Sequence, residues 1–289
     1  MLEYLAFRIG SLVANLLPER VGYFVFEWVG RLAYWIAIRS RRAVNNNLQH
    51  VLCATNSNAR LSESAHRVFQ TQALNYYDLL KLSKTSLTKI HEQVEVHGWC
   101  FIESALAMQR GAIILTAHYG NLDIASQIFR YQGLNLTVVV ERLKSERLFR
   151  FLVNQRSTFG ISLVPSDAPM GKVYRVLKEG GLVALAMDRD VTGSGQLISF
   201  FGLPAHLPDG YARIARRTGV PIIPGFGMRL NNHKLRATFG PVIDVSRTTD
   251  PNADILEIID RSVRVAEKQI AADPGQWVMF QPVWNTASS

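Results

Sequence analysis

Cysteine is scarce in this sequence, and so are uncharged apolar runs long enough to cross a membrane. The 289 residues include two cysteines, Cys53 and Cys100, which are too few for a disulfide framework, so a reducing cytosol is the expected environment. The apolar first 40 residues are interrupted by Pro18 and by charges at Glu3, Arg8, Glu19, Arg20, Glu27 and Arg31. A membrane-spanning helix needs about 20 nearly uninterrupted apolar residues, so no spanning helix is predicted there.

Repeats, low-complexity tracts and linkers rich in proline or serine are also absent from the sequence. The chain has no basic leader followed by a small-residue cleavage site, so a secretory signal is not expected. With 48% hydrophobic residues, a chain of 289 residues can bury a large core. We therefore expect a single domain over residues 1–289 rather than a disordered or multi-domain chain.

Positive charge, by contrast, is in excess. The 32 lysines and arginines outnumber the 23 acidic residues, which gives a net charge of +9. This balance indicates an anionic partner, for which nucleic acid, acidic lipid and phosphorylated small molecules are the classes to consider. The sequence shows no helix-turn-helix pattern, no zinc-finger spacing and no aromatic-basic sheet signature, so nucleic acid is excluded as the expected partner.

Two apolar stretches at the front of the chain, 2–17 and 21–38, are typical of helices and are followed by the basic residues Arg39, Arg41 and Arg42. One interpretation places these helices in a membrane interface, with the basic end on anionic head groups. The alternative is a helical hairpin packed on the protein core. Trp28 and Trp35 favour the membrane, because tryptophan concentrates at membrane interfaces, and residues 1–45 are predicted to associate with a membrane.

From residue 111 short apolar runs alternate with helical patterns. The runs are 112–117, 136–140, 161–164, 182–187 and 221–226, and the helical stretches are 121–131, 145–158, 169–179 and 209–218, with an earlier helix at 60–82. Strands that alternate with helices predict an α/β fold, with a central, mostly parallel sheet flanked by helices, over residues 100–245. Residues 234–239 alternate as an edge strand does, and a last amphipathic helix is expected at 250–272.

Three reactive side chains, His118, Glu141 and Asp188, directly follow predicted strands. Ligands of α/β sheets bind at the carboxyl ends of strands, so these positions are candidates for a site. The text HYGNLD around His118 predicts a strand end, a glycine turn and a helix capped by Asn121. Asp123, in the first helical turn, is expected to hold one ring nitrogen of His118, so that the other nitrogen acts as a general base.

A metal site is not predicted. His118 and Asp123 supply two ligands, and the remaining histidines of the seven show no metal spacing with them. Arg156 is a candidate for holding a substrate phosphate, the alternative being a solvated charge at a helix end. Glu141 is either a substrate contact or a helix cap.

The motif HYGNLD, a strand ending in His118 with an acid at Asp123, resembles the catalytic signature of glycerolipid and lipid A acyltransferases. Its Gly-Asn pair resembles the lipid A lauroyl and myristoyl acyltransferase family, which includes the phosphatidylinositol mannoside acyltransferases. Other segments similar to family blocks are the apolar front end, RRAVNNNLQHVL, RSTFGISLVP, FFGLPAHLPDGYARIARRTGVPIIP and GQWVMFQPVW. The triplet Asp188-Arg189-Asp190 and the ending WVMFQPVW are more similar to the mannoside branch than to the lipid A branch.

The resemblance implies a glycerolipid-acyltransferase-like mixed α/β fold and O-acyltransferase activity. The acyl chain would pass from acyl-CoA or an acyl carrier protein to a hydroxyl of a glycolipid, such as a phosphatidylinositol mannoside or a lipid A precursor. His118 would be the general base and Asp123 its orienting partner. The resemblance further implies that no cofactor or metal is used, and that the protein sits peripherally on the cytoplasmic face of the inner membrane among membrane lipids.

The mannoside branch also implies a second acidic residue at the site, for which Asp188 and Asp190 are the candidates. Phe201 and Gly202 are expected to line an acyl-chain groove. Substrate contacts are predicted at Asn121, Glu141, Arg156, Asp188, Arg189, Asp190, Phe201 and Gly202. The rival hypothesis is a carrier protein that binds acyl lipids without chemistry, which accounts for the charge and the apolar front end but gives no role to His118 and Asp123.

Overall fold

A computed structural model describes residues 2–52, 58–191, 193–245 and 247–284 of the protein, and Cys53 lies outside these ranges. The helices are α1 (Leu2–Leu16), α2 (Glu19–Ile36), α3 (Ile38–Val51), α4 (Asn58–Lys81), α5 (Leu87–Gln93), α6 (Trp99–Ala107), α7 (Leu122–Ala125), α8 (Gln127–Tyr131), α9 (Glu146–Arg156), α10 (Gly171–Lys178), α11 (Gly210–Thr218) and α12 (Pro251–Ala272). Short 3-10 turns lie at Leu82–Lys84 and Pro274–Gln276.

The strands are β1 (Val94–His97), β2 (Ala112–Thr116), β3 (Leu136–Val140), β4 (Ser162–Pro165), β5 (Leu182–Ala186), β6 (Gln196–Phe200), β7 (Leu203–Leu207), β8 (Ile222–Arg229) and β9 (Leu235–Phe239). In the described residues the main sheet has seven strands in the order β1-β9-β8-β2-β5-β3-β4, and β6 and β7 form a separate hairpin. The β8/β9 pair is antiparallel and the other pairs of the main sheet are parallel. The predicted α/β class with a mostly parallel, mixed sheet is therefore confirmed.

Both faces of the central strand β2 are buried, which explains its uninterrupted apolar sequence. Ile113 and Leu115 pack in one core with residues of α11 and α12, whereas Ala112 and Ile114 pack in a second core with residues of α5, α6, α8 and α9. Successive side chains of a strand point to opposite faces, so a strand covered by helices on both sides must be apolar at every position.

Two local predictions need correction, and one pair of strands was not predicted. The expected edge strand at 234–239 is β9, which lies inside the sheet between β1 and β8, because the short strand β1 pairs with it and forms the edge itself. The expected helix at 121–131 is divided at Ser126 into α7 and α8. The β6/β7 hairpin was not predicted from the sequence, and it is joined by a tight turn at Phe201 and Gly202.

The two N-terminal helices pack on the core along one face only. Helix α2 meets α4 at Gly30, where a Cβ atom would lie 2.6 Å from the Cα of Gln70, so the close approach requires glycine. The opposite faces of α1 and α2 expose large apolar side chains, among them Leu5, Ile9, Leu12, Leu16, Phe24, Trp28, Leu32, Trp35 and Ile36. We call this surface the N-terminal apolar face.

Each of the two interpretations of the N-terminal segment therefore describes one side of the same helices: one face is packed on the core, and the other is apolar and open. Within the described ranges, no helix combines the length and the hydropathy needed to cross a bilayer. The last helix, expected at 250–272, is α12, and Asp250 caps it by accepting hydrogen bonds from the backbone N–H groups of Asn252 and Ala253.

Candidate active site

His118 and Asp188 come together because their strands are neighbours in register. In the parallel pair β2/β5, Thr116 lies opposite Ala186, and each chain continues two residues further to the side chain in question. The Nδ1 atom of His118 lies 2.8 Å from Oδ1 of Asp188. The backbone N–H of His118 also donates to Oδ2 of Asp188, at 2.8 Å. Both ends of the carboxylate thus hold the histidine.

The predicted contact between Asp123 and His118 is wrong. In the described part of the chain, the ring nitrogen of His118 that was assigned to Asp123 contacts Asp188 instead. Asp123 is held by Arg156, the last residue of α9, through Nε–Oδ1 at 2.7 Å and Nη2–Oδ2 at 3.3 Å. The start of α7 directs the Asp123 carboxylate towards α9. Arg156 therefore binds an internal carboxylate, and the charge of Asp123 raises the pKa of Arg156 above its ordinary value. Its contact with a substrate phosphate stays a prediction.

The turn after His118 is fixed by backbone contacts that require Gly120. This residue has φ 62°, and a Cβ atom added to it would lie 1.8 Å from the carbonyl oxygen of Gly227. The next residue, Asn121, donates its backbone N–H to the same carbonyl at 2.6 Å. The Asn121 side chain accepts a hydrogen bond from the N–H of Ile124 at 3.1 Å, so the predicted helix cap is confirmed.

The C-terminal segment supplies a site residue that the sequence analysis did not identify. Trp277 donates its indole N–H to Oδ2 of Asp188 at 2.8 Å, and it is 1% exposed. The backbone on either side of it is bonded to the His118 loop: Val278 N–H donates to the carbonyl of His118, and Gly120 N–H donates to the carbonyl of Gln276, each at 2.8 Å. The one signal in the sequence was the similarity of GQWVMFQPVW to a family block, and this similarity does not predict which residue Trp277 contacts.

A buried ion pair supports the same loop from the side of α4. Arg229 at the end of β8 pairs with Asp78, and their side chains are 7% and 10% exposed. Asp78 also accepts a hydrogen bond from the Asn121 side chain at 2.8 Å, and Asn75 donates to the carbonyl of Gly120 at 2.6 Å. Sequence reasoning missed this network because its members come from distant segments with no common motif.

The remaining candidates next to Asp188 form contacts of their own. Arg189 forms a two-pronged ion pair with Glu141, through Nη1–Oε2 at 2.6 Å and Nη2–Oε1 at 3.0 Å. Glu141 therefore pairs with a neighbouring strand end instead of capping a helix. Asp190 accepts hydrogen bonds from the backbone N–H groups of Gly193 at 3.0 Å and Gly195 at 2.7 Å, so its carboxylate shapes the loop before β6.

Phe201 and Gly202 form the turn of the β6/β7 hairpin, with φ angles of 51° and 76°. The ring of Phe201 packs against those of Phe200 and Trp284, and its backbone N–H donates to the carboxylate of Glu267. These contacts place the turn beside the aromatic cluster that contains Trp277. Their role in lining an acyl-chain groove stays a prediction.

The electrostatics of the His118–Asp188 pair suit a base that takes up a proton. Burial lowers the pKa of His118, but the charge and hydrogen bond of Asp188 raise it by more, so the net pKa lies above the ordinary value. Burial raises the pKa of Asp188, but His118 and the indole of Trp277 hold it below its usual range. The carboxylate is therefore ionised at neutral pH, while the His118 side chain is 38% exposed and open to a substrate.

Within the residues that the structure describes, no group of three or more histidine, cysteine, aspartate or glutamate residues is placed to hold a metal ion. The chemistry available at this edge of the sheet is that of an oriented imidazole, a buried carboxylate and a nearby ion pair.

Residues 2–286 match the family model of the bacterial lipid A biosynthesis acyltransferases. The chain belongs to this family. Membership confirms the resemblance seen in the sequence, and it places the protein among acyltransferases of lipid biosynthesis. The motif HYGNLD, with His118 at the end of β2, therefore lies in a chain of this family.

Curated relatives carry the name of the mannoside branch. This chain is 30% identical over 221 residues to the phosphatidylinositol mannoside acyltransferase of Mycobacterium tuberculosis, with 72% of this chain and 66% of that protein covered. It is 30% identical over 208 residues to the enzyme of the same name from Mycolicibacterium smegmatis, with 68% and 64% covered. The match spans about two thirds of the length of these relatives.

Among solved structures, the chain is similar to the 1-acyl-sn-glycerophosphate acyltransferase of Thermotoga maritima. The match covers 91% of this chain and 97% of that one, at 13% sequence identity and a TM-score of 0.39. The fold class assigned above rests on the strand order and pairing of this chain itself.

Proposed function

We propose that this protein transfers a fatty acyl chain from a thioester donor to a hydroxyl group of a glycolipid. The observation that carries the proposal is the His118–Asp188 pair at the open carboxyl end of the sheet, with Nδ1 and Oδ1 2.8 Å apart. Family membership supports acyl transfer as the reaction. The names of the relatives support a phosphatidylinositol mannoside as the acceptor, and a lipid A precursor is the second acceptor to test.

The first step is removal of a proton from the acceptor hydroxyl. Because Nδ1 of His118 faces a carboxylate, the neutral ring carries its proton on Nδ1 and presents the lone pair of Nε2 to the substrate. As the hydroxyl oxygen attacks the thioester carbon, its proton passes to Nε2. The imidazolium so formed is stabilised by Asp188, which remains ionised.

The second step is collapse of the tetrahedral intermediate. The new C–O ester bond is kept, the C–S bond breaks, and the thiolate leaves with the electron pair of that bond. His118 returns the proton from Nε2 to the sulfur, so the products are the acyl ester and the free thiol of coenzyme A or of an acyl carrier protein. No covalent acyl-enzyme and no redox cofactor takes part in this proposal.

The proposed place of action is the cytoplasmic surface of the inner membrane. The N-terminal apolar face is the surface that would enter the lipid interface, because its large apolar side chains are exposed on that side. Arginines lie beside the exposed indoles: the guanidinium of Arg31 is 4.9 Å from the ring centre of Trp28, and that of Arg41 is 5.7 Å from the ring centre of Trp35. Such pairs suit anionic head groups.

The testing experiment is a transfer assay with detergent-solubilised protein and radiolabelled palmitoyl-CoA. The acceptors are a mannosylated phosphatidylinositol, a lipid A precursor and a lysophospholipid. With each acceptor, the transfer rates of the wild type, His118→Ala and the surface control His206→Ala are compared. We expect label in one glycolipid for the wild type and His206→Ala, and a loss of several orders of magnitude for His118→Ala.

Two results would contradict the proposal. Transfer that survives in folded His118→Ala protein would remove His118 from the mechanism. Tight binding of acyl lipids by both proteins, with no transfer from palmitoyl-CoA or from a palmitoylated acyl carrier protein, would support the carrier hypothesis instead.

A further inference from the structure

The carboxylate of Asp188 has a second neighbour besides His118. Its Oδ2 atom lies 2.8 Å from the indole nitrogen of Trp277, in a position where the side chain of Asp188 is 2% exposed. A carboxylate buried to this extent needs donors for both oxygens, because water cannot reach it. Trp277 supplies one of them from a segment 89 residues further along the chain.

We propose that Trp277 is a positioning residue of the acyl-transfer site, which acts by holding Asp188 in the orientation that serves His118. The proposal rests on the proposed function and adds to it a third member, the indole N–H. It does not place Trp277 in contact with substrate.

The geometry gives the indole a role that packing alone does not require. Oδ1 of Asp188 faces Nδ1 of His118, while Oδ2 accepts from the backbone N–H of His118 and from Trp277. Without the indole, Oδ2 keeps only the backbone N–H of His118 as a donor, so the carboxylate turns more easily about its Cβ–Cγ bond. The indole N–H restricts this rotation and helps to keep Oδ1 in line with the imidazole.

The indole is itself held rigidly. Its ring packs edge-on against Phe200 and Trp284, with ring centres 6.0 and 6.2 Å apart. The backbone of Val278, the next residue, donates to the carbonyl of His118 at 2.8 Å. The C-terminal segment is therefore bonded both to the histidine backbone and to the partner of its side chain, which couples the two positions.

The charge on Asp188 also depends on this contact. Donation from an indole N–H spreads the negative charge and makes the carboxylate a weaker attractor of the imidazolium. The other charged groups that act on His118 are Arg189 and Glu141, and neither is altered when the indole is changed. Removal of the N–H should thus move the titration of His118 to higher pH.

The experiment replaces Trp277 in the full chain by 3-benzothienylalanine, which keeps the shape of the indole but has sulfur in place of the N–H. Trp277→Phe is the genetic counterpart. The matched control is Trp284→Phe, because Trp284 belongs to the same aromatic cluster but donates its indole N–H to the carbonyl of Phe200, at 3.2 Å. Transfer of palmitate to the accepted glycolipid is measured as a function of pH.

We expect the sulfur analogue to lower kcat by about 10- to 100-fold, the range for loss of a hydrogen bond to a charged group, with KM for palmitoyl-CoA unchanged. The acid limb of the pH profile should move to higher pH in the sulfur analogue and in Trp277→Phe, and stay in place in Trp284→Phe. A folded sulfur analogue with the wild-type kcat and acid limb would overturn the proposal.

A second readout does not depend on activity. The indole ¹H–¹⁵N signal of Trp277, assigned by its loss in Trp277→Phe, should shift with pH as His118 titrates and lose that shift in His118→Ala. A signal that does not change as His118 titrates would contradict the proposal, whatever the activity of the variants. Failure of the wild type to transfer palmitate would instead count against the proposed function, with the NMR result still deciding the contact.

Discussion

The imidazole of His118 and the carboxylate of Asp188 are 2.8 Å apart at Nδ1 and Oδ1, although 70 residues separate them in the chain. Their strands lie side by side in the sheet, and each residue follows its strand at the same offset. The acid nearer in sequence, Asp123, pairs with Arg156 instead. Since a base requires a partner that contacts its ring, the roles of the two acids can be separated by experiment.

Asp188→Asn should remove most of the activity and leave the fold intact. The amide has the shape of the carboxylate but cannot stabilise the imidazolium, and it can donate to Nδ1 and impose the wrong tautomer. We expect kcat to fall on the order of 10³- to 10⁴-fold, as for the aspartate of a Ser-His-Asp triad. Steady-state transfer kinetics and circular dichroism check this, and near-wild-type kcat in the variant would contradict it.

Asp123→Asn should act through stability. The variant loses the ion pair with Arg156, whose side chain is 30% exposed, and we expect a loss of about 1 to 3 kcal/mol in the free energy of unfolding. The folded fraction should keep the acid limb of the wild-type pH profile, because His118 keeps its partner. Urea unfolding and pH-dependent kinetics measure the two effects, and a shifted acid limb would show that Asp123 acts on the ring.

The pH dependence of transfer should report His118. A general base must be unprotonated, so kcat/KM rises with pH as the ring loses its proton. Burial lowers the pKa of His118, but Asp188 raises it by more, so the midpoint of the acid limb should lie above the ordinary histidine value of about 6.5. A midpoint at or below that value would contradict a ring held by an ionised Asp188.

Arg229→Met should strongly destabilise the protein. It leaves the buried Asp78 without its counter-charge, and breaking a buried pair in this way typically costs about 3 to 5 kcal/mol. The control is Arg264→Met, which removes an ion pair with Asp260 whose side chains are 74% and 55% exposed and should cost less than about 1 kcal/mol. Equal urea midpoints for the two variants would contradict a structural role for the buried pair.

The N-terminal apolar face should bind anionic vesicles. Full burial of a large apolar side chain contributes about 1.5 to 3 kcal/mol, and Trp28 and Trp35 are 53% and 63% exposed, so about half of that contribution is available from each. Trp28→Ala with Trp35→Ala should therefore weaken partitioning into phosphatidylinositol-containing vesicles on the order of 10- to 100-fold. Leu256→Ala on α12, also an exposed apolar position, is the control and should have no effect. Vesicle sedimentation measures the binding, and an unchanged double variant would place the membrane contact elsewhere.

The sequence by itself determined the kind of fold and the position of His118. Apolar runs buried on both faces and alternating with helical patterns predicted a mostly parallel sheet, and the text HYGNLD placed His118 at a strand end with Asn121 as the helix cap. These features are local, because hydrophobic period, turn chemistry and capping act over a few residues. They can therefore be predicted from a single sequence.

The tertiary structure alone decided which groups contact His118. Strand order brought Asp188 to His118, and pairing of the C-terminal segment with the His118 loop brought Trp277 to Asp188. Asp123, which its proximity in sequence assigned to the His118 ring, forms an ion pair with Arg156 instead. These contacts depend on register and packing between segments up to 89 residues apart, and no local pattern encodes such distances.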